Sequence, residues 1–315
     1  MKWAIGERVE TRDAFGEALL VLGRRRDDVV VLDADLQRSN KTETFRQAHP
    51  DRFFDMGIAE ADMVSTAAGM AATGMTPFAN SFAMFVPGRA YDQIRLQVAY
   101  ARTNVKLVGG SAGLTIGPDG ATHQSLDDIA LVRQLPNLTV LVPADANETY
   151  QAVFAAAETE GPFYLRVGRY PTPVIFGPDY RFEIGAIQEL RAGGDVALLA
   201  TGIMAAKAIE VAELLASRGL SAAVSNVSTI KPMDPERVLD AVSGKRLAVT
   251  MEEHSIIGGL GSAVAEIVAA DAAAPPLLRI GVKDRFGESG TADELLEAYG
   301  LAPPSMADAV LEAVG

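Results

Sequence analysis

The sequence predicts an α/β protein made of two successive, doubly wound domains on mostly parallel sheets. Three observations carry that prediction. Short aliphatic runs such as Val29-Val30-Val31-Leu32 and Val196–Ala200 read as strands buried on both faces. Stretches with apolar residues three and four apart lie between them, so strand and helix alternate along the chain. A proline-punctuated stretch, Tyr170-Pro171-Thr172-Pro173 through Gly177-Pro178-Asp179, interrupts the alternation near the middle. The expected organisation is a first domain over 1–175, a linker over 176–190 and a second domain over 191–315.

Composition narrows the possibilities. A chain of 315 residues has room for two domains of ordinary size. Hydrophobic residues at 49% with aromatics at only 6% suit tight packing of small side chains in a helix-rich α/β protein. The net charge of −13 speaks against nucleic-acid or anionic-membrane partners, which need a basic surface. With no cysteine, disulfides, thiolate metal sites and thiol nucleophiles are excluded. His49, His123 and His254 are too scattered in sequence to suggest a histidine metal cluster, and no metal ligands are expected. The first residues lack a secretory apolar region and no apolar run reaches membrane-spanning length, so a cytoplasmic protein is expected.

Taken in order, Thr11 is positioned to cap a helix whose apolar face is Ala14, Phe15, Ala18, Leu19 and Leu22. The strand at 29–32 ends in the polar loop Asp33-Ala34-Asp35-Leu36-Gln37-Arg38-Ser39-Asn40, where open α/β sheets bind ligands. Phe53 and Phe54 form a short strand running through a glycine turn into a helix of Ala, Gly, Met and small hydroxyl residues. So little side-chain bulk predicts close packing and burial on most sides. Glu60 and Asp62 are the only charges between Asp55 and Arg89; an acid there either complements the helix dipole or does chemistry. A strand over 76–82 follows, then Phe85, Arg89 and Tyr91 leading into a helix. The strand Val105-Lys106-Leu107-Val108 opens into a long glycine-rich loop over 109–124 carrying Asp119 and His123, and loops of that length usually serve function. Ser125 with Asp128 suggests a capping box, and a strand over 139–142, a helix over 147–158 and a strand over 163–167 close the first domain. The second domain reads as strands over 196–200, 222–226, 247–251 and 277–282 alternating with helices over 205–218, 235–242 and 261–270, with terminal helices.

Several familiar chemistries are missing. Gly258-Gly259-Leu260-Gly261 resembles a dinucleotide fingerprint, but Val264 fills the third small position, so a tight strand-to-helix turn is expected. There is no phosphate-cradling Gly-Lys-Ser/Thr loop and no Gly-x-Ser-x-Gly nucleophile turn. His49, beside Pro50, is expected at the surface, and His254 in a structural or interfacial place.

The 55–74 stretch, Ser81-Phe82…Phe85…Arg89-Ala90-Tyr91-Asp92-Gln93 and Ile116-Gly117-Pro118-Asp119-Gly120-Ala121-Thr122-His123-Gln124 resemble the C-terminal half of a transketolase. So do Asp145-Ala146-Asn147-Glu148, Glu252-Glu253-His254 and Asp284-Arg285-Phe286-Gly287-Glu288-Ser289-Gly290, over essentially the whole chain and in family order. The resemblance implies a thiamine-diphosphate pyrimidine-binding fold followed by a transketolase C-terminal domain. It also implies a glycolaldehyde transferase acting on sugar phosphates. The Gly-Asp-Gly…Asn motif that holds Mg²⁺ and the cofactor's diphosphate in the family has no match here. The chain therefore resembles one subunit of a split enzyme, with an N-terminal subunit as partner, expected in a heterotetramer.

The resemblance also implies roles. Glu60 would hydrogen-bond the cofactor's aminopyrimidine ring, Phe82 and Phe85 would line its pocket, and Asp35 would lie near the cofactor. Asp119 and His123 would hold sugar hydroxyls, His123 also assisting proton transfer. Arg12, Ser39 and Arg169 would bind the sugar phosphate, with Arg166 an alternative to Arg169. Ser111 stands where the family has a phosphate-holding histidine, and Pro87-Gly88 where some relatives place an aromatic. The competing implications are the β subunit of a 2-oxo-acid dehydrogenase, which shares the two-domain plan, and a non-catalytic regulatory subunit.

Overall fold

The alternation of apolar strands with helices yields two parallel-dominated sheets in the computed structural model, which describes residues 2–315. Met1, the opening residue of the expected first domain, lies outside the described residues. The strands of the first half are β1 (Arg8–Val9), β2 (Val29–Asp33), β3 (Phe53–Asp55), β4 (Thr76–Phe82), β5 (Lys106–Gly110), β6 (Thr139–Leu141), β7 (Phe163–Arg166) and β8 (Thr172–Pro173). Those of the second are β9 (Gln188–Arg191), β10 (Val196–Ala200), β11 (Ala222–Asn226), β12 (Thr229–Lys231), β13 (Leu247–Ser255) and β14 (Leu277–Val282). The larger sheet runs β12-β6-β7-β5-β4-β2-β3, with β12 alone antiparallel to its neighbour. The smaller runs β14-β13-β10-β11-β9, with β9 antiparallel at its edge. β1 and β8 pair antiparallel, joining the two ends of the first half.

Side chains on successive strand residues face opposite ways, and β2 shows what that builds. Val29 and Val31 join Phe15, Leu19 and Leu22 of helix α1 (Thr11–Arg25) on one face, with Phe45 of helix α2 (Glu43–Ala48). Val30 and Leu32 join Met63, Val64 and Ala67 of helix α3 (Glu60–Ala72) on the other. Burying each such aliphatic side chain contributes roughly 1.5–3 kcal/mol. The apolar layer on the α3 side continues into Ala197, Leu199, Ala248 and Val264 of the second half, so the two sheets share one core. The far face of the smaller sheet, with Leu198, Val224 and Val249, is covered by helices Met204–Ser217 and Pro303–Val314. Among the described residues no helix is long and apolar enough to cross a membrane.

Several local expectations change. Thr11 is the first helical residue rather than the cap; its hydroxyl is held by the Gly168 amide at 2.8 Å. Ser125 caps nothing, since its helix, Asp128–Arg133, begins after Asp127 with no side-chain cap. His49 is half-buried, packing on Phe45 at 5.0 Å between ring centres and taking a contact from Arg52. Strand β13 runs four residues beyond the expected 247–251 and draws Glu252, Glu253 and His254 into the interior. The 176–190 segment is irregular as far as Ile187 and is tied to helix Ala146–Glu158: Asp145 accepts from the Ile175 and Phe176 amides, and Tyr180 donates to Glu148 at 2.6 Å.

Helix α3 is not buried on most sides. Met63, Val64, Ala67 and Ala68 face the core, whereas Asp62, Gly69 and Ala72 lie open on the outer face, near exposed Ile58 and Met75.

Candidate active site

Parallel strands end together, and the carboxyl ends of β2 and β4 open onto a cavity of about 410 Å³. It is lined by Ala34, Asp35 and Leu36 after β2, Ile58 and Glu60 at the start of α3, and Phe82 at the end of β4. Phe85, Arg89, Thr122 and His123 complete the wall. The two phenyl rings stack at 5.9 Å with 23° between their planes, and His123 stands edge-on to Phe85 at 5.3 Å. Asp35 bends the chain at the rim with φ +60, its amide donating to Asp55 at 3.2 Å. Behind it Asp33 is buried, accepting from the Leu36 amide and the Thr42 hydroxyl. Burial lifts it to about 6, with the Asp55 charge pushing the same way.

Glu60 is the one carboxylate in this wall that is dry, with 3% of its surface exposed. It opens α3, where the helix dipole favours an anion. Ser81 donates to its Oε1 at 2.8 Å, and Arg89 Nη1 donates to both oxygens at 3.1 and 3.0 Å. The Arg89 guanidinium also lies over the Phe85 ring, 3.8 Å from its centre. Ser81 and Arg89 escaped the sequence reading as partners because they lie 21 and 29 residues away, although both fall in the segment that carried the resemblance.

The remaining expected residues lie outside this wall. Arg12 Nη1 donates to the Ser39 carbonyl at 2.9 Å, and the Arg12 amide donates to the carbonyl of Gly168, the residue before Arg169. Glu10 shares Arg12, accepting from its Nε at 2.7 Å. Asp119 and Arg169 are joined by two hydrogen bonds, at 2.8 and 3.1 Å, and Arg169 also donates to the Ile116 carbonyl. Ser111, with φ +51, is fully buried at the end of β5, its hydroxyl without a partner among the described residues.

Arg166 is no substitute for Arg169. It is buried and committed to Asp128 at 2.8 Å and to the carbonyls of Ser125 and Glu253. The glycine turn after β13 is likewise a structural device. The Glu252 carboxylate accepts from the Leu260 and Gly261 amides, filling the helix N-terminus where a phosphate would need to sit. His254 is wholly buried between Ala130 and its own neighbour's carbonyl, and burial lowers it to about 4. Among the described residues no group of three or more His, Asp or Glu is placed to hold a metal ion.

A parallel-sheet domain with an aromatic-walled cavity and a dry carboxylate, followed by a second α/β domain, matches two known domain families in succession. Residues 7–173 match the transketolase pyrimidine-binding domain and residues 185–306 the transketolase C-terminal domain. The chain belongs to the transketolase family. Within that family it corresponds to the C-terminal section: a Methanocaldococcus jannaschii protein described as a putative transketolase C-terminal section is 45% identical over 96% of this chain and 95% of its own, and human transketolase is 35% identical over 98% of this chain, which spans 49% of that protein. The solved structure of a split gene transketolase, described as an inactive β4 tetramer, aligns with a TM-score of 0.90 at 46% identity, over 97% of this chain and 98% of that one. A protein of Clostridium sp. (strain MSTE9) described as the 6-deoxy-6-sulfo-D-fructose transketolase subunit SqwH is 42% identical over 96% of this chain and 93% of its own.

Proposed function

We propose that the chain is the pyrimidine-side subunit of a thiamine-diphosphate-dependent transketolase, moving a two-carbon ketol unit from a ketose phosphate to an aldose in the cytoplasm. The observation that carries this reading is Glu60, a dry carboxylate at a helix start in the same cavity wall as Phe82 and Phe85. A flat heteroaromatic ring would meet apolar surface at Phe82 and Phe85 and a carboxyl at Glu60 once the Arg89 guanidinium is displaced from the Phe85 face and the carboxylate. Thiamine diphosphate, when bound, supplies the carbon nucleophile and electron sink for carbon–carbon cleavage.

The chain's own residues divide the remaining work. Glu60 holds a proton or hydrogen bond at the ring nitrogen, kept dry by Ser81 and the α3 core. His123, edge-on to Phe85, exchanges a proton at a sugar oxygen. Arg12, Ser39 and Arg169 receive the anionic end of the sugar, with Asp119 orienting Arg169 through its paired hydrogen bonds. An N-terminal transketolase subunit holds Mg²⁺ and the diphosphate, docking on the open face of α3. An inactive tetramer of β chains in a relative is what a half-site on each chain leads one to expect.

The test is to combine the chain with that subunit, Mg²⁺ and thiamine diphosphate and follow ketol transfer from phosphorylated and sulfonated ketoses. Transfer requiring both chains supports the reading; Arg169→Ala then raises KM for the anionic donor by ~10-fold or more. An assembly that binds cofactor and transfers nothing sinks it.

A further inference from the structure

We infer that the second domain, which contributes no side chain to the cavity wall, splints the 113–124 loop, with Gln124 and Glu253 as positioning residues for His123. The inference rests on the reading of His123 above. The loop is built to be soft: Gly113, Gly117 and Gly120 all have positive φ, at +82, +76 and +77. Its backbone polar groups are held from within by Gln124 and from outside by Glu253 and Arg169. Gln124 Nε2 reaches the Leu114 and Gly117 carbonyls at 3.3 and 3.4 Å and, across the domain boundary, the Glu288 carbonyl at 2.8 Å. Glu253 on β13 accepts from the Thr115 amide, and Arg169 donates to the Ile116 carbonyl. Residues 114 to 117 are thus each fixed by a side chain distant from them in the loop or outside it.

Glycines make the contact backbone-close. A Cβ at Gly287 would overlap the Gln124 side-chain oxygen, one at Gly113 would overlap the Glu253 carboxyl, and one at Gly117 would press on the Gly290 carbonyl. Both positioning side chains are buried, so their hydrogen bonds are costly to leave unmade. His123 directly precedes Gln124, and its amide donates to the Gly120 carbonyl, so a shift of this splint moves the imidazole over Phe85.

The experiment pairs hydrogen exchange with kinetics on Gln124→Met, Glu253→Ala and Gly287→Ala. The last perturbs Gln124 from a segment at the protein surface and removes no core group. In the full chain, amides of 113–124 should exchange ~10-fold faster while those of β10 are unchanged. In the two-subunit enzyme, kcat should fall ~10- to 100-fold with thiamine diphosphate affinity kept, and Glu253→Gln, which retains an acceptor, should recover most of it. Unchanged loop exchange in all three variants overturns the splint. Faster exchange with kcat within ~2-fold of wild type overturns its role in positioning. A wild-type assembly without transfer refutes the functional reading instead, and with it the catalytic half of this proposal, while the exchange data still decide the splint.

Discussion

Replacing Arg89 with methionine separates two things that the guanidinium does at once. It gives two hydrogen bonds to Glu60 and covers the Phe85 face at 3.8 Å. Breaking a fully buried pair costs ~3–5 kcal/mol. Here 46% of the Arg89 side chain is exposed, solvent screens the pair, and Ser81 still donates to Glu60. The expected loss is therefore about 1–2 kcal/mol, a fall in Tm of roughly 2–6 °C by calorimetry of the chain. Cofactor binding should change in the other direction. An incoming ring needs both the Phe85 face and the carboxylate, and Arg89 occupies both. Arg89→Met should tighten thiamine diphosphate binding in the two-subunit enzyme, by up to about tenfold if ~1.4 kcal/mol of competition is removed. Affinity that instead drops more than about tenfold would mean that Arg89 holds the cofactor rather than covering its place.

Two further outcomes follow from particular side chains. Gly69 lies on the open face of α3 with no atom within 4 Å of a Cβ built there, so Gly69→Ala should stabilise the isolated chain by ~0.5–1 kcal/mol. If that face docks the partner, the same methyl weakens association in sedimentation or calorimetric titration; unaltered association argues against the docking. Burial lifts Glu148, Glu252 and Glu253 each to about 7 and Asp33 to about 6. A carboxyl with a raised folded pKa holds its proton more tightly when folded, so its contribution fades as pH rises through the interval between its unfolded and folded values. His254, lowered to about 4, and His49, lowered chiefly by burial, work oppositely below their ordinary value but are two groups against four. The urea midpoint should therefore be higher at pH 5.5 than at 7; the reverse slope would show that these groups are hydrated in the folded chain.

What the sequence discloses depends on how local the physics is. β10 begins and ends where its aliphatic run does, because burial on both faces leaves a continuous apolar signal, whereas Ser225-Asn226 in β11 and the exposed Arg279 in β14 interrupt theirs. β12 has three residues, one of them Lys231, and exists only because it adds to the first domain's sheet beside β6, so nothing nearby announces it. β9, an exposed edge strand rich in polar residues, is silent for the same reason. The roles of Glu60, Phe82, Phe85, Asp35 and His123 rest on a family resemblance, and the fold brings these residues to one cavity. Their own pattern left core or cap as good an account. The Asp119–Arg169 pairing and the Gln124 bridge to Glu288 span 50 and 164 residues, separations at which sequence periodicity carries no information.

The central claim is that Glu60 is half of an active site rather than a helix-start acid. Glu60→Gln keeps the shape and leaves an acceptor for Ser81 and Arg89, while removing the carboxylate. In the two-subunit enzyme with Mg²⁺ and thiamine diphosphate, the measurement is kcat for ketol transfer beside cofactor affinity. If Glu60 serves the cofactor, kcat falls by at least ~100-fold with affinity changed far less. Full transfer activity in a cofactor-loaded Glu60→Gln enzyme would contradict it.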